Sequence, residues 1–143
     1  MRVLLVEDAE LLRRVIADEL RDAGLDVVEA STGAEAQRAM ESRAIDVLVA
    51  DIRLPGFMDG WQVARYCREV EPNLPVIYVS GFHAGEAKEV PGALFIDKPY
   101  RPSQLVGLIR ELTTRGSRPP PSTPAENADV PPGPAQSLRN ERR

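Results

Sequence analysis

Cysteine occurs once, as Cys67, so neither an internal disulfide nor a cysteine-based metal cluster can form within one chain. Histidine is as scarce: His83 stands alone in a polar stretch and reads as an exposed, inert side chain. There is no excess of positive charge. Eighteen Lys and Arg face 22 Asp and Glu, for a formal net charge of −4, which speaks against a general attraction to nucleic acid or to an anionic membrane surface. Any partner must be recognised through a local patch. Long hydrophobic runs are missing too. The opening Met1 to Val6 is cut off by Glu7-Asp8, too short for a signal peptide, and no segment approaches a membrane span. A cytoplasmic setting is the expectation.

What is present is enough apolar material, 43% of 143 residues, for one compact domain with a single core. Short apolar runs at Val3 to Val6, Leu25 to Val28, Ile45 to Ala50, Val76 to Val79 and Ala93 to Ile96 alternate with segments of helical periodicity. In the first of these, Leu11, Leu12, Val15, Ile16 and Leu20 form one stripe that ends near Gly24. Thr32-Gly33-Ala34-Glu35 is a capping-box pattern that opens the second. The third runs from Asp59 or Gly60 to Glu71, with Val63, Cys67 and Val70 on one face, Trp61 and Cys67 as packing residues, and Pro72 closing it. The last carries Leu105, Leu108, Ile109 and Leu112. Phe82 to Gly92 leaves room for only a short helix between the fourth and fifth strands.

Strands apolar throughout and separated by helices imply a five-stranded parallel α/β sheet covered on both faces. Residues 1–116 are read as this domain. From 117 to 143 the chain holds Pro119, Pro120, Pro121, Pro124, Pro131, Pro132 and Pro134 with no aromatic residue. Such a tail is expected to be disordered, because it cannot bury enough apolar surface to offset its ordering entropy.

In a parallel sheet the residues just past the carboxyl ends of the strands converge on one edge. Glu7 and Asp8 follow the first strand, Asp51 ends the third, Ser80 ends the fourth, and Lys98-Pro99 follows the fifth. Three carboxylates, a hydroxyl and an ammonium thus meet on one rim. Clustered carboxylates repel one another, a cost that a divalent cation removes. Magnesium suits such a set, because it takes one or two carboxylates and keeps places for water and phosphate oxygens. Phosphoryl transfer needs little beyond an aligned nucleophile and nearby positive charge, with Asp51 as the nucleophile.

Leu5-Val6-Glu7-Asp8, Asp51-Ile52-Arg53-Leu54-Pro55-Gly56, Ile77-Tyr78-Val79-Ser80-Gly81 and Asp97-Lys98-Pro99-Tyr100 together resemble the receiver domain of bacterial response regulators, of the chemotaxis-receiver kind. The resemblance covers Arg2 to about Arg115. It implies a flavodoxin-like, doubly wound sheet of order 2-1-3-4-5 with helices on both faces and a short fourth helix. It also implies a phosphoacceptor role for Asp51, magnesium binding by Glu7, Asp8, Asp51 and the Arg53 carbonyl, and phosphoryl contacts from Ser80 and Lys98. Phe95 matches the aromatic whose rotamer follows the hydroxyl's movement, so Ser80 and Phe95 together form the expected switch. The implied phosphodonor is a sensor histidine kinase or a histidine phosphotransfer protein. The output is an unidentified protein partner rather than DNA, since the residues after Gly116 are too few and too rich in proline for a DNA-binding domain. With no histidine on a phosphodonor-like helix, the chain does not read as the kinase itself.

The sequence departs from the family in two places. The loop Pro55 to Gly60 is one residue longer than usual, and Ser80 to Lys98 is short. Two other functions compete. In a phosphorylation-independent docking domain, Asp51 would be a cap or turn residue and Phe95 a space-filler. An aspartate-nucleophile phosphatase of the haloacid-dehalogenase type needs a second acid two residues after the nucleophile, where this chain has Arg53.

Overall fold

The computed structural model describes residues 1–81 and 88–116. Strands β1 (Arg2–Val6), β2 (Asp26–Ala30), β3 (Val47–Asp51), β4 (Val76–Ser80) and β5 (Leu94–Asp97) alternate with helices α1 (Glu10–Asp22), α2 (Gly33–Ser42), α3 (Gly60–Val70) and α4 (Pro102–Gly116). All pairings are parallel and the order is β2-β1-β3-β4-β5, as the resemblance implies. The compact unit runs from Met1 to Glu111, and all the contacts described below lie within it.

Continuous apolar runs form these strands because both faces are covered. Leu4, Val6, Leu48, Ala50, Val76 and Tyr78 share a core with Ala36, Ala39 and Met40 of α2 and with Trp61, Val63, Ala64 and Cys67 of α3. The alternate residues Val3, Leu5, Val47, Val49, Ile77 and Val79 are equally buried and face the other side. Ile16, Ala17 and Leu20 of α1 and Leu105 and Ile109 of α4 are buried as well. α1 and α4 are neighbours, since Arg110 donates to the Ala23 carbonyl at 2.9 Å.

Two apolar stripes are narrower than the sequence suggests. Leu11 and Val15 are 80% and 51% exposed and Leu12 is 37% exposed. On a helical wheel Leu11 and Val15 fall opposite the buried row formed by Ile16, Ala17 and Leu20, so five apolar residues in register do not make one covered face. Val70, the last residue of α3, is likewise exposed. The cap of α2 is half of the expected box. Thr32 Oγ1 accepts the Glu35 N–H at 3.1 Å, but the Glu35 carboxylate takes the N–H and hydroxyl of Ser31 rather than the Thr32 N–H.

The short helix expected within Phe82 to Gly92 lies partly outside the described residues, at 82–87. Residues 88–93 are irregular, and Val90 is buried with its N–H donating to the Tyr78 hydroxyl at 3.0 Å. The expected disordered tail, 117–143, also lies outside the described residues, as does His83.

α3 begins with a full capping box in which Asp59 accepts the Gln62 N–H at 2.9 Å and Gln62 accepts the Asp59 N–H at 2.8 Å. Its first residue presses on the end of β3. The Gly60 N–H donates to the Ile52 carbonyl at 2.8 Å, and a Cβ on Gly60 would lie 2.2 Å from the Asp51 carbonyl oxygen and 2.6 Å from Ile52 Cα. Backbone cannot step aside as a flexible side chain does. Gly60→Ala is therefore expected to destabilise the domain by about 2–3 kcal/mol, read as a lower urea midpoint. A wild-type midpoint would contradict this packing.

Candidate functional site

Parallel strands end on one edge, so the chain delivers Glu7 just past β1, Asp51 at the end of β3, Ser80 at the end of β4 and Lys98 just past β5. Three backbone hydrogen bonds to neighbouring strands fix these ends. Glu7 N–H donates to Ala30 O at 3.0 Å, Ile52 N–H to Val79 O at 3.0 Å, and Lys98 N–H to Ser80 O at 2.8 Å. The Lys98 ammonium then lies 2.6 Å from Asp51 Oδ2 and 3.4 Å from Glu7 Oε1. Asp51 Oδ1 accepts the Arg53 N–H at 2.9 Å, and Glu7 Oε2 accepts the Ala9 N–H at 3.0 Å. Glu7, Asp8 and Asp51 each offer one carboxylate oxygen within 4.8 Å of the others.

Two of the three acids are buried: Glu7 is 5% and Asp51 6% exposed, while Asp8 is exposed. Burial pushes the Glu7 carboxyl above its ordinary value of 4.5 against the opposing Ala9 bond, and the neighbouring Asp51 charge adds to the rise. Burial works against the Lys98 charge, but its hydrogen bond and charge pairing with Asp51 and then Glu7 outweigh that and hold its pKa above the ordinary lysine value. Beside them the Tyr100 hydroxyl is pushed up to about 12, chiefly by burial and then by Glu7 and Asp51.

Because the folded pKa of Glu7 is raised, its contribution to stability is fully present below pH 4.5 and is lost as the pH rises through the folded value. Without metal, Glu7→Gln should therefore melt above the wild type at pH 7, with the gain fading as the pH falls through the folded value and gone below 4.5. Equal melting temperatures at pH 7 would show that the Glu7 charge carries no penalty.

This donor set fits a hard divalent cation: three carboxylates converge, all ligand atoms are oxygen, and one acid stays open to solvent. A model of the response regulator receiver domain matches residues 3–110. The chain belongs to this family. The response regulator receiver protein CpdR of Brucella abortus (strain 2308) is 31% identical over 115 residues, covering 78% of this chain and 95% of CpdR. The sensor kinase CckA of the same organism is 34% identical over 116 residues, 77% of this chain but 12% of that protein. A crystal structure of a response regulator receiver protein from Sinorhizobium medicae WSM419 superposes with a TM-score of 0.77 at 37% identity, over 82% of this chain and 97% of that one. Receiver domains are the signalling phosphoacceptors of two-component systems rather than classical enzymes.

In this receiver Glu7, Asp8, Asp51 and Lys98 come together as the sequence leads one to expect. Ser80 ends the neighbouring strand, 2% exposed, and Arg53 is exposed with its N–H turned to Asp51. Phe95 is half-buried, opposite Tyr78 in the β4–β5 register, with ring centroids 5.2 Å apart. Trp61 completes the aromatic cluster, 4.7 Å from Tyr78 and 6.0 Å from Phe95. Cys67 is buried, its thiol pushed up to about 12 by desolvation, as befits a packing residue. Tyr100 and Gly60 also border the site, although the sequence reading gives them no role there. The pair Asp59-Gly60 before Trp61 signals a tight helix start, whereas nothing in Pro99-Tyr100 alone places that ring beside the acids.

Proposed function

We propose that this receiver accepts a phosphoryl group on Asp51, with magnesium as cofactor, and signals through protein contacts. The observation that carries the reading is the Lys98 ammonium 2.6 Å from an Asp51 carboxylate that shares its pocket with Glu7 and Asp8. Magnesium held by Glu7, Asp8, Asp51 and the Arg53 carbonyl would supply positive charge to the phosphoryl oxygens. Asp51 attacks the phosphorus of a phosphohistidine, forming an acyl phosphate while the N–P bond breaks and the imidazole keeps the electron pair and takes up a proton. Lys98 balances the phosphoryl charge. Ser80, at the end of the adjoining strand, binds a phosphoryl oxygen after transfer, and Phe95 follows that movement within its aromatic cluster. A histidine kinase or histidine phosphotransfer protein is the donor, a role supported by the match to a segment of the sensor kinase CckA. No described helix is long and apolar enough to cross a membrane, and we place the protein in the cytoplasm. Residues 1–116 act as the receiver, with 117–143 as a tail outside it.

Incubation with magnesium and a small phosphodonor such as acetyl phosphate tests this directly. Intact mass should rise by one phosphoryl group, borohydride trapping should map the label to residue 51, and Asp51→Asn should stay unlabelled. Label on another residue would overturn the assignment, and sustained turnover of a generic phosphoester would point to a phosphatase. Equal affinity for a partner with and without phosphodonor would favour a docking domain.

A further inference from the structure

Glu7 and Asp8 are adjacent, so the single peptide plane between them sets how their carboxylates are directed. β1 ends at Val6, and beyond it the Glu7 N–H still bonds Ala30 of the neighbouring strand. The Glu7 carbonyl, which lies in the plane shared with Asp8, accepts from Arg13 Nη1 at 3.0 Å. The same guanidinium donates through Nε to Glu29 Oε1 on β2 at 3.0 Å, and Arg21 holds the other Glu29 oxygen at 3.2 Å. The Arg13 and Glu29 side chains are only 13% and 24% exposed, so this fork is shielded from water and made rigid at both ends. The Arg13 N–H also closes the first turn of α1 on the Ala9 carbonyl at 2.8 Å. One side chain thus joins α1, β2 and the Glu7–Asp8 peptide.

We infer that Arg13 is a positioning residue of the cation site. By fixing the Glu7–Asp8 peptide plane, it holds both acids in the arrangement that brings an oxygen of each within 4.8 Å of an Asp51 oxygen. Groups that orient metal ligands without touching the metal commonly change its affinity by about 10–100-fold when removed. This inference rests on the reading that Glu7, Asp8 and Asp51 bind magnesium. A role confined to clamping α1 onto β2 through the Arg13–Glu29 pair would lower stability and leave the affinity for metal unchanged.

The test is calorimetric titration of the full chain with magnesium chloride, for the wild type, Arg13→Met, Arg13→Lys and Glu29→Gln, with melting temperatures alongside. Arg13→Met is expected to bind magnesium about tenfold more weakly. Arg13→Lys should also bind more weakly, because an ammonium lacks the planar fork that reaches Glu29 and the Glu7 carbonyl together. Glu29→Gln keeps the donor to Glu7 and should lose stability while binding magnesium as the wild type does. Wild-type affinity in Arg13→Met overturns the inference, as does an equal loss in Glu29→Gln. If Arg13→Met does not fold, wild-type affinity in Arg13→Lys overturns it alone. Absence of magnesium binding in the wild type overturns the underlying metal assignment as well, whereas unchanged binding in the Arg13 variants leaves that assignment standing.

Discussion

Replacing Lys98 with alanine is expected to slow phosphorylation of Asp51 by about a hundredfold or more, since removing one preorganised charge or donor from a transferring group costs on that order. The reason lies in where the ammonium sits. It is the cation placed against both buried acids, 2.6 Å from Asp51 and 3.4 Å from Glu7, and it is carried by a backbone fixed through the Lys98 N–H bond to Ser80. Without it the phosphoryl oxygens lose a fixed countercharge, and the carboxylates of Glu7 and Asp51 face each other with less compensation. The folded pKa of Lys98 lies above the ordinary 10.5, so its stabilising contribution is present throughout the range below 10.5 and is lost only as the pH rises through the folded value. The defect in Lys98→Ala should therefore be the same at pH 6 and pH 8. Single-turnover labelling with acetyl phosphate under saturating magnesium measures it, and a rate within a few-fold of wild type would remove Lys98 from the chemistry.

Trp61→Ala should produce the largest loss of stability, about 3–5 kcal/mol. Trp61 is 1% exposed and fills the space between the start of α3 and β4, its ring tilted against Tyr78 at 4.7 Å and edge-on to Phe95 at 6.0 Å. Its removal opens a cavity lined by the rings of Tyr78 and Phe95. A domain of this length has roughly 5–15 kcal/mol in total, so the variant should unfold at a much lower urea concentration. Its consequence for signalling follows from the same contact. Phe95 loses one wall of its pocket, and the coupling proposed between Ser80 and Phe95 should loosen. A urea midpoint close to wild type would show that the cluster is not a unit.

The strands and the acidic rim were legible because both follow from simple periodicities. A continuous apolar run such as Ile45 to Ala50 marks a strand covered on two faces, and parallel topology then forces Asp51, Ser80 and Lys98 onto one edge. Each observed strand lies within one or two residues of its apolar run. The misread elements share a different cause. Leu11, Val15 and Val70 are apolar yet exposed, and composition cannot tell which way a helix rolls on its sheet. The Ser31–Glu35 bonds replaced half of the expected box at α2, because Ser31 offers the carboxylate both an N–H and a hydroxyl. Arg13 was invisible for the opposite reason. Among the arginines of α1 nothing local distinguishes it, and its meaning comes from residues 6 and 16 positions away in sequence.

A crystal structure grown with magnesium and beryllofluoride tests most directly whether Glu7, Asp8 and Asp51 share one cation beside Lys98. The expected density is a single metal bounded by those three carboxylates and the Arg53 carbonyl, with beryllofluoride on Asp51 facing Lys98 and Ser80. A bare Asp51, or a metal bound away from the three acids, would contradict the account.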